Sequence, residues 1–112
     1  MIPIDPDKPV RVTAENDGVT YSMRVLTEDN ETQFNDICKM YTDGDQQKNK
    51  EYAIALIDFF IIGWSGAKVP EFPKDGKPSR YFINSAMKIK MVNFILDNLD
   101  RLKGISTEEI KN

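Results

Sequence analysis

Residues 10–25 read VRVTAENDGVTYSMRV, and the start of the fold turns on this stretch. Val10, Val12 and Ala14 alternate with Arg11, Thr13 and Glu15, and Val19, Tyr21, Met23 and Val25 alternate with Thr20, Ser22 and Arg24. A period of two places one apolar row on one side of an extended strand. Asn16-Asp17-Gly18 separates the two runs, and these residue types accept the positive φ that a tight hairpin turn demands. The stretch therefore predicts a β-hairpin with one apolar face. A lone hairpin is marginal in water, so that face needs cover from the helices that follow, with further strands left open.

Downstream the period lengthens. Thr27 to Asn30, with acidic Glu28, Asp29 and Glu31, predicts a helix start. Phe34, Ile37, Cys38 and Tyr41 then fall on one helical face, so Cys38 reads as a core thiol. Thr42-Asp43-Gly44-Asp45 interrupts the pattern. A second helix is expected from about Gln46 to Ile62, closed by Gly63-Trp64-Ser65-Gly66. Its polar residues Gln47, Glu51 and Asp58 lie on one stripe, which predicts a solvent-facing Asp58 and burial of most of the remainder. Pro70, Pro73, Gly76 and Pro78 mark an irregular loop. The last long helix is expected to start at Asn84 or Ser85, both good N-caps, and to end at Gly104. Ser106-Thr107-Glu108-Glu109 has the form of a capping box before a very short terminal helix or frayed tail.

The chain of 112 residues fits one domain, and 40% hydrophobic with 29% charged residues is an ordinary globular balance. The expected organisation is an extended leader over 1–9, one domain over 10–104 and a short tail over 105–112. The expected fold class is α+β, an N-terminal hairpin packed on three main helices.

Composition excludes several chemistries. Histidine is absent and Cys38 is the sole cysteine. A Ser-His-Asp or Cys-His site cannot be built, and neither can a structural zinc site or an internal disulfide framework. There is no phosphate-binding glycine loop, and Asp43-Gly44-Asp45 lacks the spacing of a calcium loop. No catalytic residue, metal or cofactor is expected, and the chain reads as a non-enzyme. The N-terminus lacks a basic stretch followed by an apolar one, so no signal peptide is expected. The apolar run from Tyr52 to Trp64, interrupted by Asp58 and Gly63, is too short to span a membrane. Fifteen basic against eighteen acidic residues give a net charge of −3, so nucleic acid is not the expected partner, although Lys74, Lys77, Arg80, Lys88 and Lys90 make one region locally basic.

Protein binding remains, and two surfaces present themselves. In the loop after the second helix, Trp64, Phe72, Tyr81 and Phe82 either pack the loop down or form a recognition surface. In the last helix, Ala86, Ile89, Val92, Leu96 and Leu99 line one apolar side, and Met91, Ile95 and Leu102 line another. Met91, Ile95, Leu96 and Leu102 are therefore candidates for a partner or for a homo-oligomer interface, with a purely internal role as the alternative.

The order of these features resembles that of small structural and assembly proteins of tailed bacteriophages and prophages, the tail assembly chaperones in particular. The residues that carry the resemblance are Ile61-Ile62-Gly63-Trp64-Ser65-Gly66, then Asp75-Gly76-Lys77-Pro78, then Tyr81-Phe82-Ile83-Asn84 before the final helix. The resemblance covers roughly residues 52–102. The resemblance implies a non-enzymatic role in the bacterial host cytoplasm: coating a tape measure protein and recruiting tail tube subunits, with residence in the virion left open. The competing expectation is a small regulatory or adaptor protein of mobile-element origin that binds DNA or protein.

Overall fold

A computed structural model describes residues 11–103, and the expected leader over 1–9 and tail over 105–112 lie outside the described residues. The order of elements is β1 (Arg11–Asn16), β2 (Val19–Arg24), α1 (Glu28–Cys38), α2 (Gln46–Phe60), β3 (Ile61–Ser65), a 3₁₀ turn (Pro78–Tyr81), α3 (Ser85–Asp97) and α4 (Leu99–Leu102). The fold is α+β.

The hairpin forms as its turn residues dictate. Asp17 and Gly18 have φ of 52° and 80°, so Asn16 pairs with Val19 across a two-residue turn. Positive φ at both central residues matches the right-handed twist of the flanking strands. The alternation is realised: Tyr21, Met23 and Val25 are buried, whereas Thr13, Glu15 and Thr20 face solvent.

The sheet has a third strand that the periodicity did not indicate. Helix α2 ends at Phe60, not at Ile62, and Ile61–Ser65 pairs antiparallel with the free edge of β2. The apolar run over residues 59–62 fits a buried helix and a buried strand equally well by pattern alone. Pairing decides it, because the second edge of β2 supplies partners for backbone groups that would otherwise be buried unpaired. Tyr21 faces Trp64 and Ser22 faces Gly63, but Met23 faces Ile61, so Ile62 is the extra residue of a bulge.

Helix α1 is tied to the strand before it by Asn30. Its Oδ1 accepts from the Thr27 amide at 2.8 Å, and its Nδ2 donates to the Val25 carbonyl at 3.1 Å. Ile37 is buried, and Phe34 meets the ring of Phe60 edge-on at 5.5 Å. Cys38 is exposed, which corrects the expectation of a core thiol. It is the last residue of the helix and sits at the margin of the face that Phe34 and Ile37 bury.

Helix α2 is the centre of the molecule. Leu56, Ile57 and Phe60 have no solvent exposure. Arg24 on β2 donates from Nε to the Phe59 carbonyl at 2.8 Å and lays its guanidinium over the Phe59 ring, joining the sheet to the end of the helix.

The last helix is broken, contrary to the single helix expected up to Gly104. Helix α3 stops at Asp97, and α4 begins at Leu99. Asn98 turns its side chain back to the Phe94 carbonyl at 2.8 Å, a local bond that competes with helix continuation. The change of direction brings α4 against the hairpin. The Leu26 amide donates to the Leu102 carbonyl at 2.6 Å, and Arg101 Nη2 donates to the Thr13 carbonyl at 3.1 Å.

Candidate functional site

The loop between β3 and α3 is a strapped arm, and two α2–β3 residues hold it. Trp64 donates from Nε1 to the Pro70 carbonyl at 2.8 Å. Its ring meets Phe72 at 4.8 Å and Tyr81 at 5.3 Å, with Phe82 and Tyr21 each at 6.4 Å, all near edge-on. Edge-to-face contacts of this kind are favoured by the ring quadrupoles. Asp58 holds the far end of the arm. Its two carboxylate oxygens accept from the Ser79 amide at 2.9 Å and the Ser79 hydroxyl at 3.0 Å. Asp58 is thus an anchor, not the solvent-facing residue its stripe suggested. Asp75-Gly76-Lys77-Pro78 is the turn that delivers Ser79, with Gly76 at φ 71°, the Lys77 amide bonded to Asp75, and Asp75 paired to Arg80 at 2.7 Å. Ser79 is only 3% exposed, and Pro78 beside it is buried too.

This arrangement sorts the aromatic candidates. Phe82 is buried in the core, edge-on to Trp64. Trp64 and Phe72 are half-buried by packing the arm down, and Tyr81 remains exposed.

The helix candidates divide as sharply. Met91, Ile95 and Leu102 are buried in the core, which corrects their assignment as partner-binding residues. Met91 and Ile95 share the side of α3 turned to the core, and the Phe94 ring beside them meets Tyr21 at 5.5 Å. Leu102 is buried because α4 folds back on the hairpin. Leu96 faces the other way and is 41% exposed, and Ile89 is 58% exposed. With Val92 between them, they occupy one helical face at i, i+3 and i+7.

That face borders a crevice of two hollows that share Lys88, one between α2 and α3 and the other between α2 and the 3₁₀ turn. The larger, about 520 Å³, is lined by Lys50 and Ala53 of α2 and by Ser85, Lys88 and Ile89 of α3, among others. The smaller, about 270 Å³, lies between Ile54, Asp58, Lys77, Ser79, Arg80 and Lys88. Lys88 donates to the Phe82 carbonyl, which fixes it at the junction. Sequence reading noticed the basic run and Ile89 but missed Lys50 and Ile54. Their spacing of i and i+4 on α2 was visible, but the helix they face was not.

Among the described residues, no group of three Cys, Asp or Glu side chains is placed to hold a metal ion, and no helix is long and apolar enough to cross a membrane. Neighbouring atoms that exclude water push the Cys38 thiol above its ordinary range, and the nearby Lys103 charge opposes this to a smaller extent. The thiolate is the reactive form, so it is scarce at neutral pH. Iodoacetamide should therefore modify Cys38 in the folded protein slowly at neutral pH, and faster as the pH rises into the alkaline range. Complete protection of the thiol up to the unfolding transition would contradict its exposed position.

Compared with protein-family models, curated proteins and solved structures, the chain has no significant match.

Proposed function

We propose that this chain is a non-enzymatic protein-binding protein of phage or prophage tail assembly, engaging tail proteins through the outer face of α3. The observation that carries the reading is the division of that helix. Met91 and Ile95 complete the core, yet Ile89 and Leu96 on another side keep large apolar surfaces in water. Two large aliphatic side chains left in water on one helical face are the kind of surface that an interaction site can use. The resemblance in Ile61–Gly66 and Asp75–Pro78 supports tail proteins as the partners, the tape measure and tail tube proteins first among them.

The test is co-expression with the products of neighbouring genes, followed by pull-down and mass measurement. The wild-type chain should retain a tail protein. Leu96→Asp should abolish retention while shifting unfolding stability by no more than about 0.5 kcal/mol, as expected for a surface position. A chain that stays monomeric and retains no tail protein overturns the reading. Global unfolding of Leu96→Asp would instead show that Leu96 serves the core.

A further inference from the structure

The crevice between α2 and α3 has a charge opposite to that of the chain. The molecule carries a net charge of −3, yet four cations, Lys50, Lys77, Arg80 and Lys88, line the two hollows against one carboxylate, Asp58. That carboxylate is occupied by Ser79, and Arg80 is already matched by Asp75. Among the described residues, Lys50, Lys77 and Lys88 have no carboxylate within ion-pair distance. Between the lysines lie Ala53, Ile54 and Ile89, two of them large aliphatic side chains with substantial exposure.

We propose that this crevice docks an acidic amphipathic segment of a partner protein, a refinement that rests on the protein-binding reading above. The aliphatic residues take the apolar side of the segment, and the three lysines take carboxylates along its edges. An amphipathic helix laid into a groove between two helices is an established way to bury such a surface. Complementary rim charge steers the encounter and fixes the register.

Other occupants fit less well. Duplex nucleic acid presents a dense row of phosphates and is held through many cationic contacts, commonly about 6–10. Three unmatched lysines beside an aliphatic floor do not supply them. Membrane surfaces are recognised by clusters of about 4–8 basic residues. A second copy docked two-fold on the same crevice would set these lysines against their own images.

The probe is a pair of synthetic amphipathic peptides with the same leucine face, one carrying glutamates on its other positions and the other lysines. The full-length protein should bind the glutamate peptide, with affinity falling as salt rises, and should not bind the lysine peptide. Lys50→Glu/Lys77→Glu should weaken the glutamate peptide on the order of tenfold at low salt. Both lysines are exposed, and their side chains make no hydrogen bond among the described residues, so the fold should tolerate the change. Ile89→Asp should remove binding altogether. Equal binding of the two peptides, or binding of neither, overturns the proposal. Tighter competition by duplex DNA or anionic vesicles overturns it in favour of those occupants. Self-association that Ile89→Asp abolishes overturns it in favour of a second copy. If Leu96→Asp still loses its tail protein while the glutamate peptide fails to bind, the protein-binding reading stands and only the acidic partner falls.

Discussion

Phe60→Ala should lower unfolding stability by about 3–5 kcal/mol, the usual loss when a large aromatic side chain leaves a core cavity. Phe60 has no exposed surface. Its ring meets Phe59 at 4.9 Å and Phe34 at 5.5 Å, so the truncation removes contacts from α1 and α2 together. The position magnifies the effect. Phe60 is the last residue of α2, and Ile61 after it is already in the sheet. No linker is available to absorb a shift, so the cavity cannot collapse without moving a strand. Small domains have about 5–15 kcal/mol to lose, so the variant approaches the limit of folding. In thermal unfolding the midpoint should fall by about 12–20 °C. A fall of only a few degrees would mean that the helix–strand junction relaxes freely.

Trp64→Ala should be the second most damaging change, costing about 2–3 kcal/mol, less than full burial would imply because the indole is half-buried. The larger consequence should be local. Trp64 carries the contacts to Phe72, Tyr81 and Phe82 and the bond to Pro70, so its loss frees the arm from all of them at once. Trypsin should then cut at Lys68 or Lys74 before the domain unfolds. Trp64→Phe separates the two contributions. It keeps a ring but loses the N–H donor, and should cost about 1 kcal/mol, the net worth of one hydrogen bond. Trypsin resistance in Trp64→Ala equal to that of the wild type would refute the idea that this residue straps the arm.

The parts of this fold that the sequence made legible are those decided over a few residues. The hairpin is one, because Asn16-Asp17-Gly18 and the alternation around it specify turn and register locally. The caps at Asn84 and at the start of α1 are others. Strand β3 was illegible because Ile61-Ile62 continues an apolar run without period, and its strand partner lies about forty residues earlier. The break at Asn98 was hidden for a similar reason: no Gly or Pro marks it, and the bonds that reward it reach Leu26 and Thr13. Asp58 looked like a surface residue because its partner Ser79 is remote in sequence. The crevice follows the same rule. Each of its lysines was visible in the sequence, but Lys50 comes from one helix and Lys88 from another, and only packing sets them around a common floor.

The strand order β1-β2-β3 also has a consequence for how the molecule assembles. Strand β2 meets its first neighbour across a two-residue turn, but its second only after Ser22 and Gly63 come together. The entropy of closing a loop grows with the logarithm of its length, so the second pairing starts at a disadvantage. What offsets it is α2, whose folding shortens the intervening chain and delivers Ile61 directly to the sheet edge. The hairpin alone is marginal, and β3 alone has no edge to join. The sheet and the helix should therefore form as one cooperative unit, with the residue at which helix becomes strand as the joint between the two halves of the chain.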